Sequence, residues 1–169
     1  STMAQETLFD LATIDRTAVA VDRAELDQYL EQRGTFSLLD HLCHSDPESG
    51  IAVGVKSLRA DDWWAPDHVP GRPMFPGALM IEAAAQVASY DYAKNRINPD
   101  GDERVVGFGG VEKTRFRGIV EPPSTLYFVV KLVRAGSRMF RYEAEGYLEK
   151  DGSLQEKRVF ESIVLGVLL

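Results

Sequence analysis

From Ala78 to Tyr92 the chain holds neither glycine nor proline, and apolar side chains fall on nearly every face that a helix would present: Leu79, Met80, Ile81, the alanines at 83–85, Val87, Ala88, Tyr90 and Tyr92. A helix that is apolar all round is stable only when it is covered on all sides. The rest of the chain must therefore wrap around this one element. Glu82, Gln86 and Ser89 interrupt it, and their spacings of four and three place them on one face. The expectation is a buried helix with a narrow polar stripe.

The wrapping material is β-structure. Downstream the hydrophobic period switches to two, and Val105–Phe108, Val111–Val120, Thr125–Arg134, Arg138–Glu149 and Lys157–Leu168 read as strands. Ala135-Gly136-Ser137 and Asp151-Gly152-Ser153 are short enough to join antiparallel neighbours, while Pro122-Pro123 interrupts the sheet. Upstream, Phe36–Leu42 and Ile51–Lys56 read as two further strands around the turn residues Ser45–Gly50. Asp22 and Glu25 form a capping-box pattern opening a helix of about ten residues that Gly34 would close. Residues 3–21 show no period, Asn95–Glu103 reads as a polar loop, and Trp63 and Trp64 in the loop Asp61–Asp67 are expected to fold onto the core or face a partner. One long helix and a run of antiparallel strands make an α+β domain, most economically an antiparallel sheet wrapped around a long central helix. The expected organisation is one domain over 1–169, with Ser1-Thr2 read as a cloning remnant and 3–33 as an N-terminal extension carrying the short helix.

Composition narrows the function classes. A net charge of −7 argues against general binding to nucleic acid or anionic membranes, although a local basic patch is compatible with it. One cysteine, Cys43, excludes an internal disulfide framework and fits a reducing, cytoplasmic setting. No stretch is long and apolar enough to span a bilayer, and the start of the chain lacks signal-peptide character. His41, Cys43 and His44 lie close together without further ligand types and are read as structural, so no metal is expected.

The stretch leading into the helix carries the candidate chemistry. Pro70, Pro73 and Pro76 stiffen a loop that starts at His68 and ends at Gly77. An imidazole can serve as a base, and a carboxyl such as that of Glu82, on a buried helix that disfavours its charged form, can serve as an acid. Gly77 lies at the helix start, where free N–H groups can stabilise a developing oxyanion. Base, acid and oxyanion donor suit the movement of a proton next to a carbonyl. Lys113, Arg115 and Arg117 alternate along a strand and share a face, which is either a solvated surface or a docking site that Arg72 could join.

His68-x-Pro70-Gly71-x-Pro73-x-x-Pro76-Gly77-x-x-x-x-Glu82-Ala83-x-Ala85-Gln86 closely resembles the signature of the β-hydroxyacyl-acyl carrier protein dehydratases of the hot-dog fold. Weaker similarity extends to Phe36-x-Leu38-Leu39-Asp40 and to Arg115-Phe116-Arg117-x-x-Val120-x-Pro122, so that it covers most of 33–169. The resemblance implies that His68 removes the proton α to a thioester carbonyl, that Glu82 protonates the departing β-hydroxyl directly or through water, that the Gly77 N–H polarises the thioester oxygen and that Gln86 orients Glu82 or its neighbours. It implies a homodimer with histidine and acid drawn from different subunits, no cofactor, and an acyl carrier protein partner; if the face of Lys113, Arg115 and Arg117, with Arg72, is a docking site and not a solvated surface, it would take that acidic carrier or a pantetheine phosphate. This chain departs from the family pattern at Asp67, Val69, Arg72, Phe75 and Pro123-Ser124, with Asp67 and Arg72 bracketing His68 with charge. A hydratase or thioesterase acting on coenzyme A thioesters, and a non-catalytic acyl-binding hot-dog protein, stand as alternatives.

Overall fold

The computed structural model describes residues 6–97 and 105–169; most of the polar loop expected over Asn95–Glu103 lies outside them. The strands are β1 (His41–Asp46), β2 (Ile51–Leu58), β3 (Val106–Phe116), β4 (Ser124–Ala135), β5 (Met139–Lys150), β6 (Ser153–Leu154) and β7 (Phe160–Leu168), and the helices are α1 (Arg23–Tyr29), α2 (Ala65–His68) and α3 (Gly77–Asn95). The sheet runs β1-β2-β4-β5-β7-β3 with antiparallel neighbours, and β6 adds to β5. Helix α3 packs against β2, β3, β4, β5 and β7. Met80, Ala83, Ala84 and Val87 of the helix share a buried cluster with Leu126, Phe128 and Val130 of β4 and Phe140, Tyr142 and Ala144 of β5. At Gly54 a Cβ would lie 2.5 Å from Val87 Cγ2, so glycine here is what lets β2 pass so near the helix.

The segment before α1, which shows no period in the sequence, has a definite place. Leu8, Phe9, Leu11 and Ile14 pack on the other face of the sheet against Val53, Val55, Tyr127, Val129 and Tyr147. The sheet is therefore buried on both faces at β4, and Leu126–Val130 is an unbroken buried run. The Leu8 N–H donates to Glu145 Oε1 at 2.7 Å and Arg16 pairs with Glu149 at 3.2 Å. Cys43 lies in this second cluster, and burial pushes its thiol up to about 11. His44 stacks on Phe9 with ring centroids 4.9 Å apart, and no group of metal-ligating side chains occurs among the described residues.

Several elements differ from expectation for identifiable reasons. Asp22 caps α1 through the Glu25 N–H at 2.8 Å, but the Glu25 carboxylate turns away to Tyr90 and Lys94 on α3, so the box is only half made. Helix α1 stops at Tyr29, and Gly34, at φ +62, opens a short 3-10 turn instead of ending α1. The strand expected from Phe36 begins only at His41, because the Gln86 side chain takes the Phe36 carbonyl and the Leu38 N–H that a strand would give to a neighbour. Val105–Phe108 and the following segment join into the single strand β3, with pairing irregularities at Phe108/Gly110 and Glu112/Arg115. Trp64 is buried and Trp63 is half exposed. No helix among the described residues is long and apolar enough to cross a membrane.

Candidate active site

His68 is not in a loop, as its proline neighbours suggest, but is the last residue of the one-turn helix α2. The chain then curls back, so that His68 Nδ1–H donates to the Met74 carbonyl at 2.9 Å. A carbonyl can only accept, so Nδ1 carries a proton in this contact, and in the neutral ring Nε2 is the nitrogen that keeps the lone pair. The curl is held at its far end by the Phe75 N–H, which donates to the Val120 carbonyl at 2.8 Å, and by Phe75 packing edge-on against Trp64 at 5.2 Å. Proline stiffness and these two anchors together set the imidazole's direction.

Helix α3 starts at Gly77 with no side-chain cap. The Leu79 and Met80 N–H groups both turn to the Pro76 carbonyl, whereas those of Gly77 and Ala78 have no partner among the described residues. These are the free donors of a helix N-terminus. A Cβ on Gly77 would lie 2.8 Å from Phe116 Cε1, so this position has room for glycine alone while the Phe116 ring stays in place. His68, Met74, Gly77, Phe116 and Ile119 line one open groove of about 630 Å³.

Glu82 is five residues further along α3. Gln86 Nε2 donates to Glu82 Oε1 at 3.0 Å and to the Phe36 carbonyl at 2.7 Å, and Gln86 Oε1 accepts from the Leu38 N–H at 3.3 Å. All of the amide's principal capacity is thus committed, and one Glu82 oxygen is tied to a fixed donor. Glu82, Gln86 and Ser89 line a cavity of about 100 Å³ together with Gln32, Phe108 and Phe140. The polar stripe read from the sequence thus faces a single space. That space and the His68 groove share no lining residue, so within one protomer the imidazole and the carboxyl open on different spaces.

Lys113, Arg115 and Arg117 line a third groove of about 570 Å³ with Glu161 and Arg158. Arg117 also lines the His68 groove, so its side chain borders both. Arg117 pairs with Glu161, and Arg72 pairs with Glu121 at 3.0 Å. Lys113 and Arg115 make no salt bridge among the described residues. The Arg72 charge that brackets His68 in the sequence is therefore answered by Glu121.

The sequence pattern of the FabA-like domain matches residues 30–157. The chain belongs to the FabA-like family. Among relatives of this FabA-like protein, one from Desulforamulus reducens is 30% identical over 140 residues, covering 83% of this chain and 96% of the relative. One from Caulobacter vibrioides is 31% identical over 123 residues, covering 73% and 76%, and one from Coxiella burnetii is 27% identical over 125, covering 74% and 87%. All three are named 3-hydroxyacyl-[acyl-carrier-protein] dehydratase FabZ. The FabA-like chain is also similar in fold to the dehydratase heterocomplex ApeI:P from Xenorhabdus doucetiae, with a TM-score of 0.67 at 17% identity over 85% of this chain and 90% of that one. For a homologue of HP0420 from Helicobacter felis the TM-score is 0.58 at 14% identity, over 83% and 85%. The antiparallel sheet around one helix is the hot-dog fold.

Sequence reasoning missed the Met74 carbonyl that sets the His68 tautomer, the Phe116 ring against Gly77, and Gln32 in the Glu82 cavity. A backbone acceptor leaves no mark on residue identity. Gln32 lies in a stretch with no motif of its own.

Proposed function

We propose that this chain is a 3-hydroxyacyl-[acyl-carrier-protein] dehydratase, converting β-hydroxyacyl thioesters reversibly to trans-2-enoyl thioesters in fatty-acid biosynthesis, and that it works as a homodimer in the cytoplasm. The observation that carries the reading is the His68 groove, which places an imidazole with a free Nε2 beside the unpartnered N–H groups that open α3. That pairing of a base with an oxyanion donor is what abstraction of a proton α to a thioester needs.

In the reaction His68 Nε2 takes the α proton while the Gly77 N–H holds the negative charge that builds on the thioester oxygen. Cα–H bonding electrons move into the new C=C bond as the Cβ–O bond breaks. The departing oxygen takes a proton from Glu82 and leaves as water. The imidazolium then returns a proton to the carboxylate through solvent, closing the cycle. Gln86 occupies Glu82 Oε1 as a donor, so Oε2 carries the proton delivered.

Because His68 and Glu82 open on separate spaces of the protomer, each site is completed across a two-fold axis, with His68 from one subunit and Glu82 from its partner. The sheet ends on β3, whose outer edge and exposed Phe108 and Phe116 are available to the second subunit. The carrier protein is acidic in this reading, and Lys113 and Arg115, with charge not already paired, steer its approach next to the His68 groove, while Arg72 and Arg117 contribute through their paired positions. The test is enoyl absorbance with β-hydroxyacyl thioesters presented on acyl carrier protein and, separately, on coenzyme A. Turnover preferring the carrier protein is expected. Preference for coenzyme A would move the assignment to a hydratase, thiol release to a thioesterase, and no turnover on either to an acyl-binding protein.

A further inference from the structure

The cavity beside Glu82 has hydrogen-bonding capacity that nothing in the protomer uses. Both Gln86 N–H groups are engaged, but Glu82 Oε2 and the Ser89 hydroxyl have no partner among the described residues. Gln32 Oε1 is buried without a donor. Its own backbone is fixed, since the Gln32 carbonyl accepts from Arg33 at 2.9 Å and from the Ser37 hydroxyl at 3.1 Å. The backbone that carries this side chain is thus held beside the cavity. Buried acceptors are ordinarily satisfied, and a polar space of about 100 Å³ has room for ordered water, which needs two to four polar partners. The opposite wall is apolar, formed by Phe108, Phe140 and Val164, so a water there finds its partners only along the stripe.

We propose that this cavity holds the water exchanged in the reaction, and that Gln32 and Ser89 are positioning residues for it. The inference rests on the dehydratase reading above. In the forward direction the oxygen leaving Cβ, having taken the Glu82 proton, moves off Glu82 into the cavity and donates to Ser89 Oγ and, as the Gln32 side chain turns toward it, to Gln32 Oε1. In the reverse direction the same water is delivered to Cβ, giving its proton to the Glu82 carboxylate as the new C–O bond forms and Cα regains a proton from His68. A water retained in this way returns to the enoyl thioester before it mixes with solvent.

Isotope exchange reads this retention directly. The protein is incubated with a β-hydroxyacyl-acyl carrier protein in H₂¹⁸O and D₂O, and recovered substrate is analysed for ¹⁸O at the β-hydroxyl and deuterium at Cα. The wild type is expected to incorporate ¹⁸O more slowly than deuterium. Gln32→Leu and Ser89→Ala are each expected to raise the ¹⁸O-to-deuterium ratio by about threefold or more, while Ser89→Thr, which keeps a hydroxyl, retains the low ratio. A variant that merely folds less well lowers both labels together and leaves the ratio alone, which overturns the assigned role. A wild-type ratio of one or more overturns the inference with the dehydratase reading intact. Absence of both labels and of enoyl product overturns the dehydratase reading itself, and the inference with it.

Discussion

Gln86 Nε2 stands 3.0 Å from Glu82 Oε1 while the same amide bridges the Phe36 carbonyl and the Leu38 N–H, so the acid on the buried helix is tied to the segment that precedes β1. One side chain therefore does two jobs. Replacing Gln86 by Ala leaves buried backbone groups unpaired and is expected to cost about 1–3 kcal/mol of stability. It also frees Glu82 to rotate. Chemical denaturation would read the first effect. Steady-state kinetics would read the second as a fall in kcat with KM little changed.

His68 is exposed within the protomer and contributes little packing. His68→Ala is expected to leave the thermal midpoint nearly unchanged while lowering kcat by roughly 10²–10⁴-fold, the usual range for a lost general base. Melting curves alongside the enoyl assay separate loss of chemistry from loss of fold.

Gly77 is constrained by Phe116. Since a Cβ there would come within 2.8 Å of the ring, Gly77→Ala must push Phe116 aside, and that ring is half exposed and can move. The expected outcome is a modest change in stability, under about 1.5 kcal/mol, with a clear loss of activity as the groove changes shape. Adding Phe116→Leu to Gly77→Ala is expected to restore part of kcat/KM, which a kinetic double-mutant cycle would show as non-additivity.

Glu25 ties α1 to α3. The Tyr90 hydroxyl, and then Lys94, hold its carboxyl below its ordinary value of 4.5. A folded-state value below the unfolded one contributes stability that is present above pH 4.5 and lost as pH falls through the lowered folded value. Wild type is therefore expected to be more stable than Glu25→Gln at neutral pH, with the difference shrinking on acidification below that point. Urea denaturation of both proteins across pH 3–7 checks this, and a gap that widened toward low pH would contradict it.

The central helix, its polar stripe and the hairpins were legible because each rests on local pattern: an apolar run without breakers, residues spaced by four and three, and glycine turns such as Asp151-Gly152, where both residues have positive φ. The strand expected at Phe36 was misplaced because a side chain fifty residues away takes its backbone partners. The segment before α1 was illegible for a related reason: Leu8, Phe9, Leu11 and Ile14 pack against the sheet without repeating at a helical or strand period. At the site, the residue identities of His68, Gly77, Glu82 and Gln86 were readable, but the Met74 carbonyl that orients His68 and the division of His68 and Glu82 between separate cavities are properties of the folded backbone.

The proposed division of His68 and Glu82 between subunits is tested most directly by mixing His68→Ala and Glu82→Gln, each expected to be inactive alone, under conditions that allow subunits to exchange. If each site draws one residue from each chain, a mixed dimer contains one intact site, and a random mixture is expected to recover about a quarter of wild-type activity. If both residues of a site come from the same chain, every site in the mixture lacks one of them. Activity staying at the level of the separate variants, with subunit exchange shown to have occurred, would contradict the shared-site account.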